Sequence, residues 1–173
     1  NWDAIFYIIF QFIGGTLGVL LSWLILGKTL SDSMVNFVVT VPNNFGTSVS
    51  FVAEFVISFV MMTMVLVTTN SAKLSRFTPL FAGFLVAIYI SLESPISGMS
   101  MNPARTFASA IVANNWTDWW IYFAAPPLAM LSAAEIYVRV KGLKRVYCAK
   151  FHHANSQPCI FICNYGECQN RLR

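Results

Sequence analysis

Charge is scarce in this sequence. Only 10% of its 173 residues are Asp, Glu, Lys or Arg, against 57% hydrophobic ones, a ratio that no ordinary soluble domain of this length needs for its core. Histidine is scarcer still. The two in the chain are His152 and His153, so the apolar stretches before residue 140 hold no imidazole and only isolated acids. That argues against a membrane-embedded enzyme, which needs a nucleophile with its base or an intramembrane metal constellation. Cysteine is missing from the same region, since all four lie at Cys148 and beyond. The opening Asn1-Trp2-Asp3 carries no initiator Met, no basic stretch and no small-residue cleavage site. The first apolar run is therefore not read as a signal peptide, and upstream sequence is expected.

Long apolar runs are what the sequence does have. Crossing roughly 30 Å of hydrocarbon as helix takes about 20 residues. Four segments answer to this: Ala4 to Leu26, Phe51 to Thr69, Phe77 to Leu92, and about Trp119 to Val140. Helices are expected, because lipid-exposed single strands would leave backbone groups unpaired. The fold class is thus an all-α membrane protein. Lys73 and Arg76 mark the second connection, and Arg139, Lys141, Lys144, Arg145 and Lys150 follow the fourth run, whereas Gly27 to Ser50 carries Lys28 offset by Asp32. The positive-inside rule puts the second connection and the C-terminal tail in the cytoplasm and the other two connections outside. The net charge of +4 is mostly this topology signal. Lipid headgroups are its expected anionic neighbours, with no call for nucleic acid. A multi-pass protein of the plasma or inner cell membrane is expected.

Between the third and fourth runs lies "SGMSMNPARTFASA", Ser97 to Ala110. Asn102 suits a helix cap, and Pro103 suits the first helical position, where its missing N–H is not needed. The helix that follows reaches Asn114-Asn115 after about three turns, too short to cross the bilayer. Two readings follow. It is a re-entrant half-helix whose positive end lies inside the membrane, with Ser97 to Met101 as non-helical backbone lining a watery cavity and Gly98 permitting close approach. Alternatively, it is an extracellular surface helix with a solvated Arg105. In the first reading Arg105 is an intramembrane charge, which marks a solute pathway or a buried pair.

"SGMSMNPAR" resembles the second signature loop of the aquaporin, or major intrinsic protein, family. "YIIFQFIGG" at Tyr7 to Gly15 is similar to that family's third membrane helix, "FVAEF" at Phe51 to Phe55 to its fourth, and "WWIYFAAP" at Trp119 to Pro126 to its sixth. The resemblance covers Trp2 to about Val140. It implies an aquaporin-like helical bundle of four transmembrane helices plus one re-entrant half-helix. The family's first two helices and first Asn-Pro-Ala loop are absent from this chain. The domains expected are residues 1–140, the partial membrane domain, and residues 141–173, a basic Cys/His-rich cytoplasmic tail.

The resemblance implies a passive channel for water, extending to small neutral solutes and excluding ions and protons, built as a homotetramer when full length. Asn102, Pro103 and Ala104 would form the central barrier. Arg105, Met99 and Ile90 would supply three of four outer filter positions, and Gly98 would shape the loop. Thr106, Ala110 and the pair Tyr122-Phe123 at the discriminating positions favour water over glycerol. A glycerol or small-solute facilitator is the alternative.

Glu54 resembles the family's buried glutamate that accepts hydrogen bonds from loop backbone, and the alternative is interfacial exposure. Gln11 is a weaker candidate for loop support, equally explained by helix packing. Glu93 is expected to face the vestibule or the headgroups. No cofactor is required by the channel. In the tail, Cys148, Cys159, Cys163 and Cys168 with His152 and His153 have the ligand types of a zinc site. The alternatives there are an unstructured basic tail with free thiols, or a non-conducting membrane protein whose role is metal binding.

Overall fold

A computed structural model describes residues 2–71, 73–142 and 146, and every regular element among them is helical. The long helices are α1 Trp2–Leu26, α3 Thr47–Thr69, α4 Thr78–Leu92 and α7 Trp120–Lys141. Shorter pieces are α2 Lys28–Ser31, α5 Ser94–Ser97 and α6 Pro103–Ala113, with 3-10 turns at Asn36–Val38 and Ser75–Phe77. Four helices are long and apolar enough to cross a membrane: Ala4–Leu26, Thr47–Thr69, Ser75–Leu92 and Trp120–Lys141. The chain is a multi-pass, all-α membrane protein.

The apolar runs and the helices agree except at one start. α3 begins at Thr47, four residues before the apolar run that starts at Phe51, and its mostly polar first turn is satisfied locally. Gly46 turns the chain with φ 85°, and the Ser50 hydroxyl donates to Gly46 O at 3.2 Å and lies 3.1 Å from Ile96 O.

The described residues form two compact units. The first comprises residues 1–55 and 92–126. In it α6 packs along α1, and the packing is close because Gly15 has no side chain. A Cβ there would stand 3.3 Å from Ala108 Cβ and 3.4 Å from Ala104 O. Small residues let helix backbones approach in this way where lipid supplies no hydrophobic drive. Phe12 fills the space beside the contact, edge-on to Phe107 at 5.2 Å. A buried cluster of Ile121, Tyr122 and Ala125, with Phe51 and Phe55 against it, anchors the other side.

The second unit comprises the described residues within 56–91 and 127–173. Its polar connection between α3 and α4 is held by hydroxyls: Thr68 Oγ1 donates to Met64 O at 2.9 Å and accepts from Thr78 Oγ1 at 2.9 Å. Both threonines are buried. Arg76 lies 4.6 Å over the Phe77 ring, a favourable use of a cation at a helix entrance. The Glu135–Arg139 pair at 2.6 Å is exposed and contributes little.

The Thr68–Thr78 bond generates a prediction. Thr78→Val keeps the shape and removes the donor, leaving Thr68 bonded to its own helix. The expected loss is about 1 kcal/mol, read as an apparent Tm lower by about 2–4 °C in detergent. An unchanged Tm would show that this pair does not hold the connection.

Candidate functional site: the loop before the half-helix

Residues 98–102 have no regular structure, yet Ser97 and Ser100 are buried. A buried irregular backbone must find partners for its N–H groups. The loop turns through left-handed residues at Gly98 (φ 83°), Met99 (φ 49°) and Met101 (φ 54°). These turns bring successive N–H groups toward side chains. Gly98 N donates to Ser94 O at 2.9 Å and Met99 N to Ser97 Oγ at 3.2 Å. Ser100 N donates to Glu54 Oε1 at 2.6 Å and Met101 N to Glu54 Oε2 at 2.9 Å. Asn102 N reaches Ser100 Oγ at 3.4 Å. Glu54, fully buried on α3, thus serves the two central amides with one carboxylate, the strongest acceptor available.

Asn102 then starts α6. Its backbone is extended, φ −146° and ψ 116°, and its Oδ1 accepts from Ala104 N at 2.9 Å, with Pro103 at the first helical position. The helix stops at Asn114 in the left-handed conformation. Its 11 residues span about 16 Å, roughly half the hydrocarbon thickness. Arg105, one turn inside, is half-buried and donates from Nη1 to Val38 O at 2.7 Å. Val38 belongs to the turn Asn36–Val38, whose three residues all have positive φ. A hydroxyl chain ties the same segments together: Thr40 and Thr106 are 2.7 Å apart, and Ser100 and Thr106 2.6 Å apart.

An open groove of about 260 Å³ runs between α1 and α6, lined by Gln11, Gly15 and Val19 on one side and Asn102, Arg105, Ala108 and Ser109 on the other. Gln11 is exposed to this groove and makes no hydrogen bond to the loop among the described residues. Met99 is half-buried beside Gly98, and Ile90 lies on α4, in the second unit, 56% exposed.

The sequence that folds in this way matches a known family over most of its length. The family model for major intrinsic proteins covers residues 2–137. The chain belongs to the major intrinsic protein family. Its similar relatives include Aquaporin NIP3-1 of Arabidopsis thaliana, 32% identical over 82% of this chain and 45% of the relative. Aquaporin NIP3-1 of Zea mays is 37% identical over 60% and 35%, and Aquaporin TIP4-1 of Arabidopsis thaliana 39% over 50% and 36%. The chain therefore spans less than half the length of these curated relatives. Aquaporins of the major intrinsic protein family are channels, not enzymes.

Two residues stand elsewhere than the sequence suggested. Glu93, expected at the vestibule or headgroups, is 7% exposed and bonds the Ser97 hydroxyl. It precedes Ser97 by four residues, so the short helix α5 Ser94–Ser97 stacks the two side chains. Tyr122, expected beside Phe123 as a solute discriminator, is fully buried and donates its hydroxyl to Ser97 O. The helical spacing was readable for Glu93, but the burial was not. The six candidate zinc ligands of the tail, Cys148, His152, His153, Cys159, Cys163 and Cys168, lie outside the described residues.

Gly98 is where the loop has least tolerance. Besides its φ of 83°, an added Cβ would meet Val41 N at 3.0 Å, Thr40 Cα at 3.1 Å and Val41 O at 3.2 Å, all backbone that cannot swing away. Gly98→Ala should cost about 1–2 kcal/mol for the left-handed backbone and about 1–3 kcal/mol for overlap. An apparent Tm fall clearly larger than that of Thr78→Val is the expected reading. Wild-type stability would show that the 38–43 segment does not pack here.

Proposed function

We propose that the protein is a passive membrane channel for water that also admits small neutral solutes and excludes ions and protons. The observation that carries this reading is the capped half-helix. Asn102 and Arg105 line one groove at its N-terminal end, where the helix dipole is positive. The Asn102 Oδ1 is occupied by its own helix, so its side-chain N–H donors are left for a passing solute. A water that receives hydrogen bonds from such donors is oriented so that it cannot relay a proton along the file, and the positive end repels cations. The carbonyls of Gly98 and Met99 have no protein partner among the described hydrogen bonds and suit the acceptor side of a water path. Arg105, oriented by Val38 O, adds a second cation barrier and a donor. The family's aquaporins support the channel class.

Water is the preferred permeant because Thr106 and Ala110 stand at positions where the family resemblance favours water over glycerol. Met99 of the loop and Arg105 of α6 stand at filter positions that the family resemblance implies, and the constriction read from them still passes small neutral solutes. Assembly as a homotetramer, residence in the plasma or inner membrane and a cytoplasmic tail belong to the same proposal. So do the domain limits at residues 140 and 141.

Vesicles containing the protein should shrink under osmotic stress faster than empty ones, without proton current. Shrinkage no faster than that of empty vesicles, with intact protein verified, would contradict the channel reading. Arg105→Val leaves Asn102 and the half-helix in place. Water flux should persist, larger neutral solutes should pass more readily, and proton leak should change little. Asn102→Asp puts a carboxylate at the positive end, so cation or proton leak should rise more than with Arg105→Val. Equal leak in the two variants would show that the barrier is not divided between these residues.

A further inference from the structure

Ser97 Oγ lies 2.8 Å from Glu54 Oε1 and also within hydrogen-bond reach of Glu93 Oε1. A hydroxyl carries one hydrogen. It cannot donate to both carboxyl groups, so the three oxygens need a second hydrogen, and one of the two acids must carry it. Glu54 already receives the Ser100 and Met101 amides, one at each oxygen. Three donors converging on Glu54 make it the ionised partner. The extra hydrogen then sits on Glu93 Oε1 and is donated to Ser97 Oγ.

The other Glu93 oxygen supports this assignment. Oε2 is buried and has no hydrogen-bond partner among the described residues. That is tolerable for the carbonyl oxygen of a neutral acid and costly for half of a carboxylate. The titratable groups around the pair are Glu54 from α3 and Tyr122 from α7, whose hydroxyl holds Ser97 O. Arg105 of α6 acts on Glu54. No Lys or Arg forms an ion pair with Glu93 among the described residues.

We propose that Glu93 is a positioning residue of the filter loop that works as the protonated acid, so that loss of its proton loosens Ser97 and lowers conduction. The proposal rests on the channel reading and adds a proton site to it. Glu93 releases its proton to solvent and becomes a carboxylate. It then has no hydrogen to give Ser97 and stands as a second buried negative charge across one hydroxyl from Glu54. Ser97 is the hinge of the effect, because its Oγ receives the Met99 amide and its carbonyl the Tyr122 hydroxyl.

Glu93 lies just past the end of α4. Burial pushes its carboxyl up from 4.5 to about 7, and the Glu54 charge adds to it. A raised value means that the folded protein holds a proton the unfolded chain has lost. Its contribution is complete below the ordinary value near 4.5 and is lost as pH rises through about 7.

The test uses vesicles containing the protein, with both faces equilibrated from about pH 5.5 to about pH 8.5. Water flux should fall at least about twofold across that range in the wild type. Glu93→Ala should conduct poorly throughout. Glu93→Gln, whose amide donates to Ser97 as the acid does but cannot titrate, should restore the flux and make it independent of pH. Infrared difference spectra of the same samples should show a protonated carboxyl C=O band in the wild type that disappears near neutral pH and is missing from Glu93→Gln. A wild-type pH profile retained in Glu93→Gln, or a carboxyl band unchanged by that substitution, would overturn the proposal. If no variant conducts at any pH, the channel reading fails. The infrared band then decides the proton site on its own, supporting it if it depends on Glu93 and refuting it if it does not.

Discussion

The structure of the first unit depends on one buried carboxylate satisfying two amides. Residues 98–102 cannot be helix, since Gly98, Met99 and Met101 are left-handed, and bare N–H groups at this depth cost free energy comparable to lost hydrogen bonds. Glu54 takes Ser100 N and Met101 N together. An aliphatic residue there would strand both, and the loop would have to unfold outward or draw in water. With those amides held, the chain enters α6 at a fixed point, with Asn102 as cap and Arg105 one turn later.

The remaining contacts refine that placement. Gly15 lets α1 close on Ala104 and Ala108, and Phe12 wedges against Phe107. The hydroxyl chain Thr40, Thr106 and Ser100 binds the 38–43 segment to the half-helix, and the same segment delivers Val38 O to Arg105. Apart from the Arg105–Val38 bond, each of these contacts is weaker than a charge-assisted bond. They act on a loop whose path Glu54 has already set.

Much of this is legible in the sequence. Four apolar runs announce four helices because lipid demands length and apolarity together. Asn102-Pro103 announces a helix start because capping chemistry is local. What stayed hidden depends on distant segments meeting. Glu93 at a helix end reads as solvated until Ser97 and the α3 carboxylate are seen beside it. Tyr122 reads as one of an aromatic pair until its hydroxyl is found on Ser97 O. Gln11, read either as loop support or as helix packing, lines the groove. The start of α3 lies four residues ahead of its apolar run, because the hydrophobic pattern does not register a mostly polar first turn.

The account's central claim is that the Glu54 carboxylate, as an acceptor for two amides at once, fixes the loop. Residue-resolved amide hydrogen exchange on wild type and Glu54→Gln measures this directly. Gln keeps the size but offers one oxygen, and its NH2 faces the other amide. Exchange at Ser100 or Met101 should accelerate about ten- to a hundredfold, the equivalent of about 1–3 kcal/mol, while amides within α6 stay as protected as before. Unchanged exchange at both residues would contradict the account.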